Sequence, residues 1–214
     1  MSRLAEHPGV TFAERPDATA TAPPELRGRS RDDVRLLVAR PDRVEHTRFT
    51  HLAEHLAPGD LLVVNDSATV PGQVDAELAG RGPVVLHVAT RLDDGSRVVE
   101  LRTAPSADRA VLDASVGATV RAGDVTFTLV APHPAASSPT GAGNRLWRAR
   151  VDGDLAGLLA ARGRPIAYGY LDRRYPLAAY QSIFSLIPGS AEMPSAARPF
   201  THALADRVRR RGVA

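Results

Sequence analysis

The sequence predicts a mixed α+β protein, with an α/β main domain that is split in sequence by an inserted small antiparallel β-barrel. Three observations point to this fold. Apolar runs near residues 34–38 and 61–64 end in turn residues or a polar triad, as strands of an α/β unit do. At about residue 74 the texture changes to short strands with turn signals at close spacing. Helical periodicity then returns at Leu155–Ala161 and again near the end of the chain.

Residues 1–30 are rich in Pro, Ala, Thr and Arg and show no period, which predicts an extended or partly disordered arm. Val34-Arg35-Leu36-Leu37-Val38 is expected as a buried strand ended by Pro41-Asp42. Thr50 is expected to cap a short helix carrying Leu52 and Leu56, stopped by Pro58-Gly59-Asp60. Leu61-Leu62-Val63-Val64 is read as a second buried strand running into Asn65-Asp66-Ser67. The region 74–152 holds about six strands, among them Val84–Val88, Val98–Leu101, Val125–Leu129 and Leu146–Val151, which suggests a small barrel. Residues 31–73 and 153–214 are assigned to the main domain, which ends in an amphipathic helix at about 201–211 with Leu204 and Val208 on one face.

Composition narrows the function. Of 214 residues, 43% are apolar and 24% charged, enough for a packed core and too apolar for general disorder. Cysteine is absent, which excludes disulfides, thiolate metal sites and a cysteine nucleophile, and sets the cytoplasm as the default compartment. No apolar run approaches the ~18 residues of a membrane span, and no apolar signal core follows the N-terminal charges. All 27 basic residues are arginine. Residues 153–214 carry nine arginines against four acidic residues, a positive region that suits phosphates or a set of solvated helix faces.

Several motifs carry chemistry, each beside a plainer structural reading. His51-Leu52-Ala53-Glu54-His55 matches the H-x-x-E-H zinc pattern, but the expected helix has about two turns, so ordinary surface histidines are favoured and no metal is assigned. No nucleophile elbow, Walker loop or dinucleotide fingerprint is present. Asn65-Asp66-Ser67 lies where ligands collect in open α/β units, and it equally fits an Asx turn. Tyr168, Tyr170 and Tyr175 place three of four tyrosines within eight residues, with Tyr180-Gln181 following; such a group can stack nucleobases or pack over the core. In Glu192-Met193-Pro194-Ser195-Ala196-Ala197-Arg198-Pro199-Phe200-Thr201, two prolines enclose small residues ahead of a helix that Thr201 would cap, a possible anion or hydroxyl site.

Taken together, these segments resemble the S-adenosylmethionine:tRNA ribosyltransferase-isomerase family of queuosine biosynthesis. Arg31–Val38 looks like the family's opening strand. Pro58-Gly59-Asp60-Leu61-Leu62-Val63-Val64-Asn65-Asp66-Ser67 is similar to its Pro-Gly-Asp-Leu-Leu-Val-x-Asn-Asp-Thr stretch. Tyr180-Gln181-Ser182-Ile183-Phe184 is similar to its Tyr-Gln-Thr-Val-Tyr, and Pro188-Gly189-Ser190 through Pro194-Ser195-Ala196 and Phe200-Thr201 to its Pro-Gly-Ser and Pro-Thr-Ala-Gly-Leu-His-Phe-Thr. The chain departs from the family at Ala68, where an arginine is usual, and at Ala197-Arg198-Pro199, where Gly-Leu-His is usual. The Pro-Leu-Pro-Pro-Tyr-Ile run is also changed, to Arg164-Pro165-Ile166-Ala167-Tyr168-Gly169-Tyr170. The family continues beyond the counterpart of Gly212-Val213-Ala214, so an incomplete main domain with an exposed edge is expected.

The resemblance implies transfer of the ribosyl part of S-adenosylmethionine to a 7-aminomethyl-7-deazaguanine base in tRNA, giving epoxyqueuosine with loss of adenine and methionine. It implies no metal or cofactor beyond that substrate, since the sulfonium supplies the activation. Such chemistry needs a base beside the sulfonium and a pocket that excludes water. On this resemblance Asp66 is the candidate base, with Asn65 and Ser67 orienting the sugar. Tyr180 and Gln181 would hold adenine or the target base. Ser190, Ser195 and Thr201 would bind hydroxyls or the methionine carboxylate. Arg173, Arg174, Arg198, Arg209, Arg210 and Arg211 would meet tRNA phosphates. The losses at Ala68 and Pro199 fit an alternative, a catalytically inactive or differently specific paralogue or fragment that acts as an RNA- or nucleoside-binding module. The fold expectation is that the Asn65–Ser67 cluster and the proline-bounded stretch share one pocket, with the barrel off to one side.

Overall fold

The computed structural model describes residues 19–134, 143–167 and 170–214. Most of the arm (residues 1–18), most of the Pro/Ser/Gly loop and the Tyr168-Gly169 pair lie outside the described residues. The fold is mixed α and β, as the sequence predicts, with a closed six-stranded antiparallel barrel between two chain segments.

The barrel is built from β4 (Gln73–Leu78), β5 (Gly82–Arg91), β6 (Arg97–Thr103), β7 (Thr119–Ala122), β8 (Val125–His133) and β9 (Leu146–Asp152). They close in the order β4-β5-β6-β9-β8-β7. Period-two patterning drives this: Val74, Ala76 and Leu78 of β4 face inward with Asp75 and Glu77 exposed. Phe127, Leu129, Trp147, Leu86 and Leu101 fill the interior, and Leu158 of α1 (Leu155–Arg162) joins them. Asp154 caps α1 by accepting the Gly157 N–H at 3.0 Å.

Outside the barrel, β1 (Arg35–Ala39) and β2 (Val44–Arg48) form an antiparallel hairpin, and β3 (Ser67–Thr69) pairs in parallel with β10 (Ile187–Ser190). A second core gathers Ala53, Phe200, Leu204, Val208 and Val213, with Phe49 and Phe184 edge-on to Phe200 at 5.0 and 5.2 Å. Leu204 and Val208 lie on the buried face of α2 (His202–Arg210), and Thr201 caps it by accepting the Leu204 N–H at 3.2 Å. Among the described residues no helix is long and apolar enough to cross a membrane.

Three local expectations need correction. Leu61–Val64 is not a buried strand. Among the described residues no strand flanks it, so Leu61 and Val63 stay 73% and 82% exposed. Its backbone instead meets the C-terminal residues, the Leu62 N–H donating to the Ala214 carbonyl at 2.8 Å. The β1 strand forms, but its hairpin has only one partner strand, so Leu37 remains exposed. The helix at Phe49–His55 is a 3-10 helix preceded by extended Arg48, with no side-chain cap from Thr50.

Candidate functional site

The Gln181 side chain joins the two halves of the candidate site. Its Oε1 accepts the Thr69 N–H at 2.9 Å and its Nε2 donates to the Thr69 carbonyl at 2.8 Å. The Thr69 hydroxyl donates to the Tyr180 carbonyl at 3.1 Å. The amide thus behaves as an added strand residue for β3, satisfying backbone groups that burial would otherwise orphan. On the other edge, β10 pairs with β3, and the Val70 N–H donates to the Ser190 carbonyl at 2.8 Å. Upstream, Asn65 Oδ1 accepts the Ser67 N–H at 2.8 Å in an Asx turn, and the Asp66 carbonyl accepts the Leu186 and Ile187 N–H groups at 2.8 and 3.1 Å.

Around this junction lies a cavity of about 360 Å³ whose walls include Thr69, Ile166, Tyr175, Tyr180, Ser195 and Arg198. The Tyr180 hydroxyl is buried and finds no acceptor for its O–H among the described residues, while the Tyr175 backbone N–H is directed at its oxygen. Desolvation raises its pKa, against a weaker opposing pull from the Tyr175 backbone, so it remains an O–H donor. The chain segment before β1 closes one side with Ala20, Ala22, Pro23 and Pro24. A 3-10 turn at Pro24–Arg27 is tied down by Glu25, which accepts from Arg198 at 3.1 and 3.2 Å and from Arg31 at 3.1 Å. Burial acts to raise the Glu25 pKa, but its backbone hydrogen bond and the two arginines outweigh that and lower it.

A second cavity of about 900 Å³ adjoins the first through shared Ile166, Ala191 and Glu192. Its far wall is the barrel itself, so the barrel does not lie off to one side as expected. Gln73, His87 and Glu100 stand in register across β4, β5 and β6, all buried. His87 Nε2 lies 3.1 Å from Gln73 Oε1, which also accepts the Ala167 N–H at 3.2 Å. The Gln73 amide oxygen can only accept, which assigns the proton to Nε2. Desolvation pushes the His87 pKa down to about 4, although Glu100 pulls it the other way. For Glu100, burial raises the pKa, but hydrogen bonds from Arg145 and Arg102 prevail and keep it ionised below its ordinary value. Gly72 sits at the crossover, where a Cβ would lie 3.0 Å from the Val88 carbonyl and 3.1 Å from Ala191 Cβ.

The structure places the sequence-predicted residues unevenly. Tyr180 and Ser195 line the smaller cavity with Arg198, and Ser67 and Ser190 line the larger one. Asn65 and Asp66 are exposed just before β3 and line neither. Gln181 and Thr201 are engaged in the fold: the Thr201 hydroxyl also donates to Asp32 at 3.0 Å. Arg198 is spent on Glu25 and the Ala179 carbonyl, with its side chain 12% exposed. Arg173 sits over the Tyr175 ring at 5.5 Å, and Arg174 donates to the Pro105 carbonyl at 3.1 Å. Arg209, Arg210 and Arg211 end α2 away from both cavity walls, with Arg211 Nε donating to the Leu56 carbonyl at 2.9 Å. His51 bonds Glu54 at 2.8 Å, and among the described residues no group of three His, Cys, Asp or Glu side chains is placed to hold a metal. Sequence reasoning missed His87, Glu100, Arg91, Arg97 and Arg145. The signals available were a histidine and a glutamate inside otherwise apolar strand runs.

The model of the family described as "Queuosine biosynthesis protein" matches residues 10–214. The chain belongs to this family. Relatives in it include the S-adenosylmethionine:tRNA ribosyltransferase-isomerases of Thermus thermophilus (31% identical over 193 residues, 86% of this chain and 52% of the relative) and Anaeromyxobacter dehalogenans (33% over 195 residues, 86% and 52%). That of Thermotoga maritima is 26% identical over 203 residues. A crystal structure of the S-adenosylmethionine tRNA ribosyltransferase from Thermotoga maritima aligns over 94% of this chain and 54% of that one, at 19% identity and a TM-score of 0.34. The chain therefore spans about half the length of the family relatives it matches.

Proposed function

We propose that this protein transfers the ribosyl moiety of S-adenosylmethionine to a 7-aminomethyl-7-deazaguanine base in tRNA, giving epoxyqueuosine and releasing adenine and methionine. The family supports the reaction class. The carrying observation is the smaller cavity, where Thr69, Tyr180 and Ser195 meet and the buried Tyr180 O–H has no acceptor among the described residues. A buried donor without an acceptor is costly, and a ligand that supplies the acceptor removes the cost. In this reading Tyr180 donates to the adenosyl part and Ser195 bonds the methionine end, while Ser67 and Ser190 face the sugar and the acceptor from the larger cavity.

Gln181 and Thr201 act as positioning residues, the first by holding Thr69, the second by fixing α2. Asn65 shapes the turn that holds Asp66, the proposed base, outside both cavities just before β3, so the bound sugar must reach from Ser67 on the larger cavity to that turn. Arg173, Arg174, Arg209, Arg210 and Arg211 offer exposed charge to tRNA phosphates, while Arg198 acts on the cavity wall through Glu25. No metal or cofactor beyond S-adenosylmethionine enters this reading, and a tRNA acceptor assigns the reaction to the cytoplasm. The domain reading belongs with it: residues 31–73 and 153–214 as the main domain, 74–152 as the inserted barrel. The test is adenine release from S-adenosylmethionine with deazaguanine-containing tRNA. Release that falls at least tenfold in Asp66→Asn supports the proposal; full turnover by that variant removes Asp66 as the base.

A second reading is favoured by Ala68 and Pro199, which stand where the resemblance leads one to expect an arginine and a histidine. It makes the chain a module that binds RNA or a nucleoside without catalysis. RNA binding with no adenine release would select it.

A further inference from the structure

Arg91 and Arg97 stand directly opposite each other where β5 meets β6, either side of the hairpin turn at residues 92–96. Like charges facing across an antiparallel pair destabilise it. Among the described residues neither arginine side chain has an ion-pair or hydrogen-bond partner. Burial, with added repulsion from Arg91, lowers the Arg97 pKa. The turn's own acid does not relieve them: Asp94 accepts from the Ser96 N–H at 3.0 Å and lies 3.8 Å from Arg148. Both arginines line the larger cavity with Arg145, Ser67 and Ser190. Its acidic residues are Glu100, already bonded by Arg102 and Arg145, and Glu192 on the wall shared with the smaller cavity.

Two arginines in cross-strand register on one cavity wall, with no ion-pair partner among the described residues, suit an anion that bridges them. A phosphate oxygen pair suits this best, because each planar fork can donate two parallel hydrogen bonds to it. We propose that the Arg91–Arg97 pair is a phosphodiester site, which holds the backbone of the RNA acceptor at the rim of the barrel-side cavity. The choice of RNA over a free phosphate rests on the proposed tRNA acceptor. The barrel then serves to grip the acceptor while the smaller cavity serves the sulfonium substrate.

The test uses the full chain without S-adenosylmethionine, so it fails or succeeds separately from adenine release. Fluorescence anisotropy would follow a labelled RNA hairpin lacking the deazaguanine base, at salt concentrations from about 50 to 200 mM. The double variant Arg91→Gln, Arg97→Gln should bind at least tenfold more weakly at low salt. Its slope of log affinity against log salt should be shallower by about 0.7 for each lost phosphate contact. Its thermal midpoint without RNA should rise, since the cross-strand repulsion is gone. The Arg91→Lys, Arg97→Lys variant should keep most of the salt slope while losing part of the affinity. Pyrophosphate should compete with the hairpin on the unsubstituted protein and much less on the glutamine variant. Unchanged affinity and slope in the glutamine variant would overturn the proposal. So would a lowered midpoint in that variant, which marks the pair as structural. Polyglutamate competing as well as pyrophosphate would assign the site to acidic protein segments instead, and overturn it too. Tight pyrophosphate binding without hairpin binding would assign it to a free phosphate compound rather than RNA.

Discussion

Tyr180 separates a binding role from a folding role more cleanly than its neighbours, because its O–H has no acceptor among the described residues to lose. Tyr180→Phe is expected to leave the unfolding free energy unchanged or slightly raised. It should weaken S-adenosylmethionine binding about fivefold, the value of one hydrogen bond of about 1 kcal/mol. Thermal unfolding and titration calorimetry on the same preparation check both. His87 gives a pH prediction. Its folded pKa of about 4 lies below the ordinary 6.5, so the unfolded chain binds the extra proton first as pH falls. The stability from neutral His87 is complete above pH 6.5 and is lost between about 6.5 and 4, by up to about 1.4 kcal/mol per pH unit. His87→Gln should flatten that part of the stability–pH curve measured by urea unfolding.

At the scale of elements, the parallel β3–β10 pair is too short to stand alone, and the Gln181 amide completes one edge of it. Gln181→Ala leaves the Thr69 N–H and carbonyl without partners and should cost about 2–3 kcal/mol in chemical denaturation. It should also weaken ligand binding, although the amide faces Thr69 rather than the cavity; Gln181→Glu, which sets a carboxylate oxygen against the Thr69 carbonyl, should not recover the loss. Thr201→Ala removes the α2 cap and the bond to Asp32 and should cost about 1–2 kcal/mol. The cap was readable from sequence because capping is local: Thr201 precedes a run with Leu204 and Val208 on one face. The Gln181 clamp was not, since it joins residues 112 apart and nothing in the local sequence marks its partner. Leu61–Val64 misled for a related reason. An apolar run satisfies the pattern of a buried strand whether or not neighbours cover it, and here no flanking strand among the described residues does.

For the molecule as a whole, the barrel was legible because alternation in β4 and turn residues at close spacing express the pleat directly. Its role as a cavity wall was hidden. Gln73, His87 and Glu100 come from three strands, and only their register brings them into one row against the Ile166–Ala167 segment. That buried row couples the barrel to the rest of the chain. Trp147, the single tryptophan, lies in the barrel core, whereas α2 packs in the other core. Tryptophan fluorescence and far-ultraviolet circular dichroism should therefore show coincident unfolding at pH 7.5. Near pH 5 they should separate, as proton uptake by His87 in the unfolded barrel, while the folded row stays neutral, lowers the barrel's stability by about 2 kcal/mol. Leu204→Ala, in the second core, should cost about 2–5 kcal/mol and lower both transitions together at pH 7.5.

Titration calorimetry of S-adenosylmethionine into the unsubstituted protein, Tyr180→Phe and Ser195→Tyr tests the central claim most directly, namely that the cavity lined by Thr69, Tyr180 and Ser195 is the pocket for this substrate. The account predicts a single saturable site, weakened about fivefold by Tyr180→Phe and abolished when the Ser195→Tyr ring fills the cavity, with both variants still folded. Binding of equal strength in all three proteins, or no binding to any of them, would contradict it.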